Sequence, residues 1–147
     1  MKKYALLIIF FLLVSCKGEE KKNDVVYFSS DCGCCHEWIL HMESNNFILE
    51  KNTNANMYDI KVKAGLPMDL ASCHTAIING YFIEGHVPAK DVKKLIKENP
   101  ENIIGLTVPG MPAGINVPGM EVNNDKAIFD VLAIDINGKP SVWTHYE

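Results

Sequence analysis

Three cysteines within four residues, Cys32, Cys34 and Cys35, follow closely on a short apolar run, Val25-Val26-Tyr27-Phe28. The run is β-branched and aromatic, the composition of a buried strand. Ser29-Ser30-Asp31 then offers N-cap chemistry, and residues 34–45 have helical pattern, with Trp38, Ile39 and Met42 as the apolar stripe. The thiols therefore sit where a strand ends and a helix begins. There the backbone N–H groups and the helix dipole stabilise thiolate, which is both the nucleophile of disulfide exchange and the metal-binding form. A structural staple restricts the unfolded chain by closing a long loop, and Cys32 to Cys35 closes almost none. Clustered thiols point to chemistry, and their placement alone does not choose between exchange and metal binding.

Upstream, residues 5–14 (ALLIIFFLLV) form an apolar run of ten residues behind Lys2 and Lys3. A spanning helix needs roughly 20 apolar residues, so this run reads instead as the core of a secretory signal. It ends in Leu13-Val14-Ser15-Cys16, which resembles the bacterial lipobox, where the cysteine is lipidated and becomes the first mature residue. Lys17 to Asp24 (KGEEKKND) is polar or glycine and reads as a flexible spacer. The expected organisation is a lipoprotein signal peptide over residues 1–15, a lipid-anchored tether over 16–24 and one domain over 25–147. Such a protein is held at the bacterial cell envelope by the lipid on Cys16, with its domain facing the periplasm or exterior. All the positive side chains are lysines, with no arginine, and loss of residues 1–15 leaves 12 of them against 18 acids, a formal charge of −6. Without arginine the chain lacks the usual bidentate contacts to phosphate and bases, so nucleic acid is excluded as a partner.

Further along, Phe47-Ile48-Leu49 is expected to start a second strand and residues 57–64 a short helix. Residues 75–78 and 81–87 are apolar strands joined across Asn79-Gly80, a strong hairpin signal. Pro88 opens an amphipathic helix that buries Val92, Leu95 and Ile96 and ends near Asn99-Pro100. Residues 105–120 form a Gly/Pro-rich loop, and residues 128–145 a closing hairpin turning at Asn137-Gly138. Strand, helix, strand, short helix, hairpin, helix is the thioredoxin-like order. The expected fold class is α/β (α+β): a thioredoxin-like mixed sheet with flanking helices, a Pro/Gly/Met-rich loop and a C-terminal hairpin.

A second candidate constellation is Cys73-His74, just before the strand at Thr75. In thioredoxin-like folds this loop faces the cysteine motif and normally carries a cis-proline, whereas Ser72-Cys73-His74-Thr75 has none. A thiol and an imidazole there, facing helix-terminal thiolates, form a soft-donor pocket suited to Cu(I), while zinc also accepts Cys/His sets. Cys73 as an inert buried cysteine is the plainer alternative. Val-Pro-Gly-Met occurs twice, ending at Met111 and Met120, and presents thioethers from irregular loops, either as Cu(I) donors or as plugs onto the core. His86 ends a strand and can face the site. His41 lies seven residues after Cys34, two helical turns, so it shares that face or is a solvated helix residue.

These words together resemble the CopG-like copper-resistance proteins: Cys-Gly-Cys-Cys with Trp38 and His41, then Ser-Cys-His-Thr-Ala, Gly-Tyr-x-Ile-Glu-Gly-His-Val-Pro-Ala and Gly-Leu-x-Val-Pro-Gly-Met-Pro. The resemblance runs from about Val25 to Ile136. It implies a thioredoxin-like fold, copper binding and a redox role in periplasmic copper handling. Cys32, Cys34, Cys35 and Cys73 match the family's thiols, and His74, His86 and Met111 its other motif positions. Ile115-Asn116-Val117 replaces the family's Gly-Ser link, which displaces Met120 relative to the site.

The leading expectation is an exported copper-binding protein that sequesters or handles Cu(I), as one ion or several, through Cys32, Cys34, Cys35, Cys73, His74, His86, Met111 and Met120. Its expected partners are copper ions, the membrane and other copper-handling envelope proteins. A second reading is a thiol–disulfide oxidoreductase or copper reductase in which Cys32 and Cys35 are catalytic. A third is a structural zinc domain, which would need a closed tetrahedral Cys/His set.

Overall fold

A computed structural model describes residues 23–147. The expected signal peptide, the tether up to residue 22 and the lipidation site Cys16 lie outside the described residues. No helix among them is long and apolar enough to cross a membrane.

The elements run β1 (Val25–Tyr27), α1 (Gly33–Ser44), β2 (Glu50–Asn52), α2 (Met57–Lys63), a 3-10 turn (Met68–Leu70), β3 (Thr75–Ile78), β4 (Tyr81–Glu84), α3 (Ala89–Glu98), β5 (Ile103–Thr107), β6 (Phe129–Asp135) and β7 (Pro140–Tyr146). The strands form a single mixed sheet in the order β2-β1-β3-β4-β5-β6-β7. β1 pairs parallel with β2 through α1 and antiparallel with β3, and β4 pairs parallel with β5 through α3. These connections generate the expected α/β architecture.

Asn79 and Gly80 both carry positive φ, 49° and 85°, as a tight hairpin turn between twisted strands requires. The closing hairpin turns at Gly138, as expected, and pairs β6 with β7. Side chains alternate across the sheet. Ile78 and Ile83 join Trp38, Ile39, Met42, Val92 and Leu95 in the main core under α1 and α3. Phe82 and Ile134 face the other way, packing with Leu66, Leu70 and Ile77 in a smaller cluster.

Three sequence expectations need correction. The second strand is Glu50–Asn52, not a run starting at Phe47, and Ile48 is 89% exposed. Its polar residues are recruited by pairing with Val25–Tyr27, an instance of β-structure set by the partner strand and not by propensity. Residues 105–107, expected in the loop, belong to β5, because Gly105 packs against Phe82 across the β4–β5 pair. A side chain at Gly105 would run into the Phe82 ring, so here glycine marks a close approach within a strand. Finally, β4 stops at Glu84 because Gly85 turns the chain with φ 69°, tight against Ser72.

β1, β4 and β5 end, and β3 begins, at the same end of the sheet. The loops that follow or precede them converge there.

Candidate metal centre

α1 begins at Gly33 with Cys32 as its N-cap residue, one residue beyond the Ser29-Ser30-Asp31 expected to cap it, and no side chain caps it. Cys35 is fully buried on the core face of α1, whereas Cys34 and Cys73 are half-buried. Cys32 and Cys35 are joined as a disulfide with Cα atoms 5.3 Å apart, and Cys34 and Cys73 are free. Cys34 Sγ lies 3.6 Å from Cys32 Sγ. The four sulfurs of Cys32, Cys34, Cys35 and Cys73 lie within 4.8 Å of one another, close enough to hold a metal once the disulfide is open.

Cys73 also belongs to a second set with His74 and His86. Its Sγ lies 3.3 Å from His74 Nδ1 and 3.4 Å from His86 Nε2. His86 Nδ1 sits 2.8 Å from the Pro118 carbonyl, which only accepts, so Nδ1 carries the proton and Nε2 presents its lone pair to Cys73. The metal-free thiol can give its one proton to that lone pair. His74 then points Nδ1–H at the sulfur, leaving its Nε2 buried without a partner. Burial holds His74 neutral down to a pKa of about 3, with His86 and Lys61 adding to the effect. Burial, then the neighbouring Cys34, pushes the Cys73 thiol up to about 11. A soft cation replacing the thiol proton would meet the sulfur and the His86 Nε2 lone pair, and His74 Nδ1 as well once its proton moves to Nε2.

Trp38 backs this arrangement. Its ring lies 4.4 Å from the His74 ring, and Nε1 donates to the Val87 carbonyl at 2.9 Å. The two Val-Pro-Gly-Met words take different places. Val108 and Val117 are both fully buried. Met111 is 59% exposed, and Met120 is half-buried against the main core. Gly119 abuts the backbone of Cys34 and Trp38 on α1, which seats the second word on the first turns of that helix. Gly110 meets the site loop through its carbonyl, which accepts from Ser72 Oγ at 2.8 Å. His41 neither joins the cysteines nor is simply solvated: its Nε2 accepts the Ala89 N–H at 3.1 Å, capping α3.

Residues 70–120 match the family described as protein of unknown function, DUF411. No curated protein matches the chain. The solved structure "Copper resistance protein copG- Form 2" is 38% identical, with a TM-score of 0.78, over 85% of this chain and 98% of that one. "Copper resistance protein copG- Form 1" is 39% identical, with a TM-score of 0.77, over 84% and 96%. The chain belongs to the CopG family. Its membership confirms the expected resemblance and fold, and the cysteine cluster of this CopG-like protein is able to bind metal. The DUF411 segment contains Cys73, His74, His86, Met111 and Met120.

Sequence reasoning missed the buried polar residues behind the site, Lys61, Glu84 and Thr75. One signal was available. Glu84 follows directly on the apolar Tyr81-Phe82-Ile83 of a strand, and a carboxylate in such a run needs a partner.

Proposed function

We propose that the protein takes up Cu(I) as cargo, through the thiolates of Cys32, Cys34, Cys35 and Cys73 together with His74 and His86, as part of copper resistance. The observation that carries this reading is the convergence of four sulfurs within 4.8 Å, one of which is shared with two histidines. Thiolates select Cu(I), and the printed names of both similar structures are copper-resistance names. Met111, exposed on the loop bonded to Ser72, is placed to meet an incoming ion. Reduced mature protein should bind Cu(I) tightly against a competing chelator, and metal analysis of protein from its native envelope should find copper and not zinc. Absence of tight uptake, or uptake unchanged by Cys32→Ser, would overturn the assignment.

The disulfide favours a second reading. Opened, the Cys32 and Cys35 thiols could give one electron each to two Cu(II) ions, closing the disulfide and releasing two protons and two Cu(I). Turnover of Cu(II) with an added thiol reductant, lost in Cys35→Ser, tests it.

The placement in the cell is also proposed: export through residues 1–15, a lipid on Cys16 and a polar tether to the domain, where copper-handling envelope proteins would meet it. Acyl chains contribute about 0.8 kcal/mol per buried CH₂, and two or more give stable anchoring. Cys16→Ser should release the protein from the membrane fraction, or stall its processing, without changing copper uptake. A variant that stays membrane-bound and normally processed would refute lipidation.

A further inference from the structure

The loop that presents Cys73 is held by a buried ion pair to which the copper reading gives no part. Lys61 on α2 and Glu84 at the end of β4 are 6% and 0% exposed and paired with each other. Lys61 Nζ donates to the Ser72 carbonyl at 3.1 Å and to Thr75 Oγ1 at 2.9 Å. Glu84 Oε1 accepts the Ser72 N–H, and Oε2 the Thr75 hydroxyl, each at 2.6 Å. The pair therefore engages both backbone polar groups of Ser72, the residue before Cys73, and the side chain of Thr75, two residues after it. Glu84 is also two residues before His86, whose Nε2 faces Cys73 Sγ. One carboxylate thus ties together the two segments that bring sulfur and imidazole into contact.

Stability alone does not account for such a pair, because apolar residues of similar volume are often as stable or more so. Apolar side chains cannot satisfy the N–H and the C=O of the same residue. That is what a loop needs when no proline ring fixes its path.

We propose that Lys61 and Glu84 are positioning residues for the metal centre, fixing Cys73 Sγ against His86 Nε2 by gripping Ser72 from both sides. The metal readout rests on the Cu(I) reading above; the geometry does not. The test uses reduced mature protein carrying Lys61→Met, which removes the donor to the Ser72 carbonyl, or Glu84→Gln, which keeps an acceptor for its N–H but loses the charge. Asp91→Asn serves as the control for a purely structural buried carboxylate, since Asp91 is 3% exposed and held by Thr144 and Tyr146 of β7. Three quantities are read: thermal unfolding, Cu(I) affinity against a chelator, and the rate at which iodoacetamide alkylates Cys73 in metal-free protein. Folded Lys61→Met should lose about 10- to 100-fold in Cu(I) affinity, the range typical of outer partners of metal ligands, and alkylate Cys73 several-fold faster. Glu84→Gln should show a smaller change in the same direction, and supplies the test if Lys61→Met does not fold. Asp91→Asn should lower the unfolding temperature and leave affinity and alkylation unchanged. Folded Lys61 or Glu84 variants with wild-type affinity and alkylation would overturn the proposal. If wild-type protein binds no Cu(I), the copper reading fails, and the alkylation rates alone decide the role of the pair.

Discussion

The repeated word Val-Pro-Gly-Met supplies an internal experiment, because its two glycines share a backbone conformation but not their surroundings. Gly110 has φ 69° and Gly119 φ 77°, so alanine at either enters the left-handed region at a cost of about 1–2 kcal/mol. A Cβ at Gly110 would have nothing within 4 Å, whereas one at Gly119 would lie 2.7 Å from Trp38 N and 2.8 Å from the Cys34 carbonyl. Those neighbours are backbone of α1 and cannot rotate aside, so the loop must lift, adding about 1–3 kcal/mol of overpacking. Gly110→Ala should therefore cost about 1–2 kcal/mol and Gly119→Ala about 2–5 kcal/mol in urea unfolding of the metal-free protein, at unchanged m-value. The site should tell them apart more sharply. Lifting residue 119 pulls the Pro118 carbonyl from His86 Nδ1, 2.8 Å away, and frees the ring that faces Cys73. Cu(I) affinity should then fall about 10- to 100-fold in Gly119→Ala and far less in Gly110→Ala. Equal destabilisation by the two, or wild-type affinity in Gly119→Ala, would refute the seating of the second word on α1.

Acid should destabilise the metal-free domain. His74 is neutral down to about pH 3 in the fold but protonates near 6.5 when unfolded. The unfolded state therefore binds more protons between those values, and stability present above pH 6.5 is lost as pH falls, by up to about 1.4 kcal/mol per pH unit from this residue. Urea midpoints measured from pH 7 to pH 4 should show it, and a flat profile would contradict a buried neutral His74. Trp38→Phe strands the Val87 carbonyl, leaves a void beside the His74 ring and should cost about 2–3 kcal/mol by the same unfolding assay, with a loss below 1 kcal/mol counting against it. Protein with the Cys32–Cys35 disulfide closed should take up less Cu(I) in an anaerobic titration than reduced protein; equal uptake would remove both residues from the ligand set.

What the sequence made legible was local chemistry. A strand running into thiols and a helix, Asn-Gly between apolar runs, and proline before an amphipathic segment each declare their structure within a few residues. What it hid depends on partners distant along the chain. Glu50-Lys51-Asn52 has no strand signature and is made a strand by Val25–Tyr27. Gly105 looks like a breaker until Phe82 lies over it. The site divides the same way. Cys73, His74 and His86 stood out because cysteine and histidine carry chemistry wherever they fall. Lys61 shares a short helix with Lys63, and only its reach to Ser72, Thr75 and Glu84 distinguishes it. His41 was visible as a residue but not as the cap of a helix that starts at position 89. Whether Cys32 and Cys35 stand as thiolates or as a disulfide is a matter of redox poise, to which the sequence gives no direct access.

That poise is tied to the metal by a constraint independent of mechanism. On the copper reading, disulfide and copper would compete for the same sulfurs, so copper held by the dithiol would stabilise the reduced protein, and oxidation of the pair would remove part of the ligand set. The coupling is reciprocal: each tenfold of affinity for copper gained on reduction raises the apparent reduction potential of the copper-loaded pair, making it harder to oxidise. For a two-electron couple the conversion is about 30 mV per tenfold difference in affinity. Cys73, His74 and His86 lie outside that competition, since neither histidine is spent on the disulfide and Cys73 remains free when it closes. The centre therefore divides into a half that oxidation removes and a half that persists, joined at Cys73. An ion displaced from the cysteines of α1 would still face one thiol and two imidazoles, held in place by the Pro118 carbonyl on one side and the Ser72 loop on the other.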